Sequence, residues 1–242
     1  MTKIVHPYAH RLVTLRDWKS RWFASGTKYR DQLLSDLIVR EYLESKLRGS
    51  YVSSIEIERS RKFTRLIIRT SRPGMVIGRQ GEGATKLKDD LTRMMKKRKI
   101  AIPEEIKIEI VEVTTPDADA ALVAYGIAEA LEKRMPFRQV MKQTMEKVMA
   151  VRGVEGIRIS IGGRLNGAEM ARTEEVKAGK IPLQTIRADV DFAKERAKLS
   201  YGTLGIKVWI NRGLIFSSAA NIKQAELSQA RNNEAKGGRR PR

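Results

Sequence analysis

Between Val76 and Leu87 the chain reads Val-Ile-Gly-Arg-Gln-Gly-Glu-Gly-Ala-Thr-Lys-Leu, and this run restricts the fold more than any other segment. Gly78 and Gly81 stand three positions apart. Without a Cβ at either, the backbone can turn tightly and another chain can come close to it. Arg79 places a cation between the two glycines, next to Gln80. The residues that follow are amphipathic, so a helix runs from the loop to about Lys99, with its N-terminal amides directed at whatever the loop holds. That arrangement suits a sugar–phosphate chain. The spacing alone is common by chance, so its surroundings must carry the argument.

The surroundings agree with it. A helix is expected from about Tyr29 to Leu47, with Leu33, Leu34, Leu37, Ile38 and Leu43 as its apolar face and Gly49 as its stop. Two strands follow, one alternating at Ile55 and Ile57 and the other at Leu66 and Ile68, joined by a turn at Ser60-Arg61-Lys62. Arg72 to Ile77 is a short turn or single helical turn before the loop. A third strand carries Ile106, Ile108 and Ile110 on one face. The order helix, strand, strand, short helix, loop, helix, strand resembles a KH domain of type II, the version with its extra helix and strand at the N-terminal end. The expected span is 29–113. No G-x-x-x-x-G-K-[ST] run exists, and Gly78, Gly81 and Gly83 lack the spacing and the βαβ setting of a dinucleotide fingerprint.

Thr114-Thr115-Pro116-Asp117 breaks the pattern and opens a second domain, expected over 114–216. Thr115 or Asp117 can cap a helix running to about Arg134, and Pro136 suits the first position of another ending near Ala150. Three strands follow, marked by Ile157/Ile159/Ile161, by Ile186/Ala188/Val190/Phe192 and by Ile206/Val208/Ile210. Each has one apolar face, so two helices are expected to pack on one side of a mainly antiparallel sheet. The class is α+β throughout. In the Pro136 helix, Phe137, Val140, Met141, Thr144, Met145, Val148 and Met149 form a stripe, read mainly as core. The opposite face carries Arg138 and Lys142 one turn apart, with Arg134 a further turn back. Such a row can track successive phosphates or be an ordinary solvated face.

Both ends of the chain are basic. Residues 1–28 form an arm, and the first thirty positions hold seven Lys or Arg against one Asp, with Trp18, Trp22 and Phe23 interleaved. Cations with aromatics suit phosphate contact and base stacking, or else the aromatics pack on the first domain. Residues 217–242 form a polar tail ending GGRRPR, expected to be disordered or ordered by partners. Over all 242 residues, 48 Lys and Arg face 28 Asp and Glu, a net charge of +20. A domain with that charge repels itself unless a polyanion binds it, which points first to nucleic acid and second to an anionic membrane surface. With no cysteine and two histidines, neither a disulfide nor a Cys- or His-based metal site is expected, and no cofactor is. No apolar run is long enough to span a bilayer and no signal-peptide stretch opens the chain, so a cytoplasmic protein with no membrane partner is expected.

Matched blocks run along almost the whole chain: KIVHP (Lys3 to Pro7), DWKSRWFA (Asp17 to Ala24), RPGMVIGRQGE (Arg72 to Glu82), MPFRQVMK (Met135 to Lys142), GGRLNGAEMAR (Gly162 to Arg172), IPLQTIRADVDF (Ile181 to Phe192) and YGTLGIKVWI (Tyr201 to Ile210). Through them the chain resembles the universal ribosomal protein S-three family, in its bacterial form. The resemblance implies a structural, non-enzymatic protein of the small-subunit head that binds rRNA. Its implied neighbours are S-ten and S-fourteen in the head, and S-four and S-five around the pore through which mRNA enters. It implies a role for Arg138 and Lys142 in unwinding mRNA, with Arg134 just upstream. The family pattern usually has a second Arg where this chain has Gln139, and a basic residue is common at Gln143. Further RNA contacts are expected at the loop residues Gly78, Arg79, Gln80 and Gly81, and at Lys3, Arg11, Arg16, Lys19, Arg21, Arg72, Arg164 and Arg172. The Gly162–Arg172 loop reads equally well as a structural turn. Two other readings are a free-standing KH regulator or RNA chaperone, which leaves the second domain unexplained, and a nuclease or DNA lyase. For the latter, no metal-carboxylate cluster or activated lysine can be picked out of the sequence.

Overall fold

The computed structural model describes residues 6–60, 63–98 and 105–215. Lys3, Arg61, Lys62, Lys99 and the tail 217–242 lie outside the described residues. The described chain opens with α1 (Pro7–Arg11), followed by β1 (Ser20–Arg21) and α2 (Thr27–Lys46). β2 (Val52–Arg59) and β3 (Phe63–Thr70) then pair antiparallel, with Ile55 opposite Ile68 and Ile57 opposite Leu66. After α3 (Pro73–Ile77), the loop and α4 (Glu82–Lys97), β4 (Glu105–Glu112) pairs parallel with β3. A parallel pair needs a crossover. Here the crossover is α3, the glycine loop and α4, so the topology itself places the loop at one end of the sheet. Leu87, Leu91 and Met95, four apart on α4, bury their stripe with Val39 and Leu43 of α2 against Ile55, Ile57, Leu66 and Ile68.

In this first unit two details depart from expectation. β1 belongs to the arm, yet it joins the first sheet as an edge strand parallel to β2. The buried face of α2 also matches the expected stripe only in part, with Leu43 buried and Ile38 half-buried. Leu33, Leu34 and Leu37 are about half exposed (48, 56 and 51%), while Ser35 and Asp36 are buried. The reason is electrostatic. Asp36 accepts hydrogen bonds from Trp22 Nε1 and Arg59 Nε, each at 2.6 Å, and pairs with the Arg59 guanidinium. Breaking a buried pair of this kind costs about 3–5 kcal/mol. That exceeds what turning one leucine inward returns, about 1.5–3 kcal/mol. Trp22 therefore packs, whereas Trp18 and Phe23 are exposed.

The second sheet has the order β6-β5-β8-β7, all antiparallel, built from β5 (Gly156–Gly163), β6 (Arg172–Gly179), β7 (Ala188–Leu199) and β8 (Gly202–Leu214). α5 (Ala120–Glu132) and α6 (Phe137–Met149) cover one face. Ile157, Ile159, Ile161, Ile206, Val208 and Ile210 meet Val123, Ile127, Phe137, Val140, Met141 and Val148 there. The cap of α5 is Asp119, which accepts from the amides of Ala121 (2.9 Å) and Leu122 (3.3 Å), not Thr115 or Asp117. A single 3-10 turn at Pro116–Ala118 delays the helix by two residues. Ile186, expected in a strand, is exposed just before β7 begins. β6 was not expected from the sequence. It is an edge strand whose inward positions are Glu174, Val176 and Ala178, too weak an apolar alternation to read as a strand.

The arm straps the two units together. Arg11 is fully buried, and its guanidinium donates to the carbonyls of Pro7 (3.1 Å), Ala188 (2.6 Å), Thr185 (3.0 Å), Leu183 (3.1 Å) and Pro182 (3.3 Å). Arg16 pairs with Asp189 (2.9 Å) and Asp191 (3.0 Å). Direct contacts between the units add Tyr51 to Glu129 and Ser53 to Asp119. Replacing Arg11 with Met strands four carbonyls of the second unit. Urea unfolding should show a loss of about 3–5 kcal/mol, with new protease cutting in the arm. Unchanged stability would contradict the strap.

Candidate nucleic-acid interface

In the KH-like loop, Gly78 sits at φ 71°, ψ −174°, a conformation essentially reserved for glycine. Gln80 (φ 51°) and Gly81 (φ 83°) are left-handed. Gly83 matters as much, although the sequence marks it only as a failed dinucleotide signature. A Cβ there would lie 2.7 Å from the Val76 carbonyl oxygen and 2.8 Å from that of Ile77. Its absence lets the first turn of α4 press against the end of α3, which closes the loop. Arg79 and Gln80 are exposed at its tip, beside the half-exposed Met75 and Ile77. Arg72 precedes α3 at its N-cap position, and its guanidinium lies 4.3 Å from the Tyr51 ring centroid, a cation–π contact. It also lines a cleft of about 450 Å³ that runs between the two units to Gln143, Thr144 and Lys147 on α6.

A second basic surface lies at the edge of the second domain. Arg138 and Lys142 sit one turn apart on the exposed face of α6. Arg138 reaches across to β6, where both its Nε and Nη2 bond Glu174 at 3.3 Å. Arg172 forms an ion pair with the same carboxylate at 3.2 Å. Glu174 thus draws together two arginines that the sequence assigns to separate segments. Arg134 does not extend the α6 row as a helical turn. It occupies the left-handed position (φ 62°) that ends α5, where the amide of Met135 bonds the Ala130 carbonyl and its own amide bonds that of Leu131. This is a Schellman closure, where glycine is usual. Arg134 is exposed on that turn.

The remaining expected contacts divide. Arg11 and Arg16 are committed to the strap described above, so the Arg11 guanidinium is not a surface group. Arg21 is surrounded by carboxylates, pairing with Asp17 (2.9 Å), Glu58 (2.9 Å) and Glu56 (3.4 Å). Lys19 is exposed, 5.7 Å from the Tyr8 ring centroid. Arg164 donates to the carbonyls of Ala168 (2.9 Å), Tyr201 (3.3 Å) and Gly167 (3.4 Å), which makes it the brace of its loop. Among the described residues no group of His, Asp and Glu is arranged to hold a metal ion, and no helix is long and apolar enough to cross a membrane.

The two units match two known families. The KH domain family matches residues 38–118, and the family "Ribosomal protein S3, C-terminal domain" matches residues 127–210. The small ribosomal subunit protein uS3 of a Psychrobacter species is 44% identical over 92% of this chain and 87% of its own length. That of Pseudomonas fluorescens is 42% identical over 98% of this chain and all of its own. That of Nitrosococcus oceani is 44% identical over 89% and 93%. This chain belongs to the uS3 family. The family is structural and non-enzymatic, a component of the small ribosomal subunit.

Within an RNA-binding family, Glu174 acquires a definite effect. A carboxylate bonded to two exposed guanidiniums neutralises part of the charge they would offer a phosphate, while holding them in place. Replacing it with Gln should steepen the salt dependence of single-stranded RNA binding by roughly one unit of log K per log salt, for about one more cation made available. Affinity at low salt should rise a few-fold. Weaker binding in E174Q would mean that positioning outweighs neutralisation.

Proposed function

We propose that this chain, a structural component of the small ribosomal subunit, binds rRNA in the head and lines the pore through which mRNA enters, where α6 holds the message in single-stranded form. The supporting observation is the exposed cationic edge, with Arg138 and Lys142 on α6, Arg172 gathered by Glu174 on β6, and Arg134 on the preceding turn. Gln139 and Gln143 are exposed on the same helix, where the family tends to carry cations. Arg172 supplies a charge beside them from a different element. The neighbours are the ribosomal proteins S-four and S-five at the pore, and S-ten and S-fourteen in the head. The Gly78–Gly81 loop, with Arg79 and Gln80 at its tip and Arg72 beside it, is a second RNA contact.

The mechanism needs no bond-making chemistry. A duplex at the pore opens and closes spontaneously. Cations that bind phosphates of an open strand favour the open form by the difference between their affinities for single and double strands. Translocation supplies the work. Replacing Arg138 and Lys142 together with Ala should slow translation through stable mRNA hairpins while subunit assembly proceeds normally. A reconstituted translation assay comparing structured and unstructured messages reads this directly. Equal rates on the two would refute the role of α6.

A further inference from the structure

The helices of the second domain cover one face of its sheet, and the other face is only half covered. At one end Trp209, Val190 and Ala188 pack with Ile181, Leu183 and Phe192, and His6 of the arm stacks edge-on against Phe192 at 4.6 Å. At the other end the outward positions are Lys194, Arg196 and Lys198 on β7, Thr203, Gly205 and Lys207 on β8, and Ser160 and Gly162 on β5. The four cations are all exposed, and none is in an ion pair among the described residues. The one carboxylate that the four strands turn to this face, Glu175, is already occupied by Arg158 (2.5 Å) and Lys177 (2.8 Å). Glu195, between Lys194 and Arg196, alternates to the helix side.

Lys194 stands directly opposite Lys207 in the β7–β8 register. Like charges in directly opposed positions destabilise a sheet. Carboxylates compensate most of the other sheet cations in this chain, so an uncompensated pair at this point calls for an external anion. Successive outward cations on β7 lie about 7 Å apart, two strand residues. Gly205, Gly162 and Ser160 keep the floor beside them low. The open end has no large apolar side chain, and a protein partner would need one for a buried centre.

We infer that this face is a separate RNA surface that recognises a sugar–phosphate backbone through Lys194, Arg196, Lys198 and Lys207, independent of base sequence. It lies on the opposite side of the domain from α6, so the domain presents RNA-binding surfaces in two directions. The test compares the full-length protein with a K194Q/R196Q/K207Q variant in binding a blunt RNA duplex of arbitrary sequence, by anisotropy over a range of salt concentrations. Each phosphate contact contributes about 0.9 to the slope of log K against log salt. The variant should therefore lose about 2–3 units of slope and at least tenfold in affinity at low salt, with a thermal midpoint no lower than that of the parent. The single K207Q variant, which removes one contact and also relieves the cross-strand repulsion, should lose about one unit. Identical slopes in both variants overturn the inference. So does an unchanged slope with loss of a neighbouring protein from reconstituted subunits, which would make the face a protein contact. The R138A/K142A protein, titrated in parallel, separates this surface from the α6 reading, because each variant can fail in its own assay while the other succeeds.

Discussion

Asp191 accepts hydrogen bonds or ion pairs from four directions: the Ala120 amide at 3.0 Å, the Arg212 guanidinium at 3.0 Å, Arg16 at 3.0 Å and its own neighbour Phe192 N at 3.0 Å. Through these contacts it joins the start of α5, strands β7 and β8, and the basic arm. A carboxylate with 9% exposure is tolerable only when its oxygens are filled in this way. The consequences extend outward. The start of α5 is fixed against the sheet, Arg16 is fixed to β7, and the strand that follows Arg16 in the arm is carried into the first sheet. The orientation of α6 and of the glycine loop relative to one another is set by these links.

The +20 charge divides into two populations. Many arginines are held by the protein itself: Arg11 in its ring of carbonyls, Arg16 and Arg212 on Asp189 and Asp191, Arg59 on Asp36, and Arg21 among three carboxylates. They hold elements together and contribute little outward field. Among the described residues, Lys142, Arg79 and the four cations of the open sheet face have no carboxylate partner. Composition alone pools the two groups, so the intramolecular partners of Arg11, Arg16, Arg21 and Arg164 are not visible in the sequence.

The parts of the fold that were legible in the sequence rest on periodicity strong enough to survive context. The Ile55/Ile57, Ile157/Ile159/Ile161 and Ile206/Val208/Ile210 alternations and the glycine loop are of this kind. Three features were hidden for physical reasons. The inner face of α2 is decided by a buried Asp36–Arg59 pair across residues far apart in sequence. β6 is an edge strand with a carboxylate at an inward position, so its pattern is mostly polar. Arg138 and Arg172 meet only because β6 exists, so their shared Glu174 could not be anticipated. Gly83 is an intermediate case. The residue is plain in the sequence, but its need follows from carbonyls less than 3 Å from where a Cβ would stand.

The strap has a consequence for synthesis. Arg11 is synthesised well before its acceptors, and one of them, the Ala188 carbonyl, lies 177 positions later. The first sheet can acquire its core long before that acceptor exists, whereas a guanidinium cannot be buried without its acceptors. The Arg11 strap therefore closes only after the second unit's acceptors are made, and closing so long a loop is a slow event in folding. Until those acceptors exist, Arg11 and Arg16 lack the partners that hold them in the folded chain and are open to whatever polyanion is nearest.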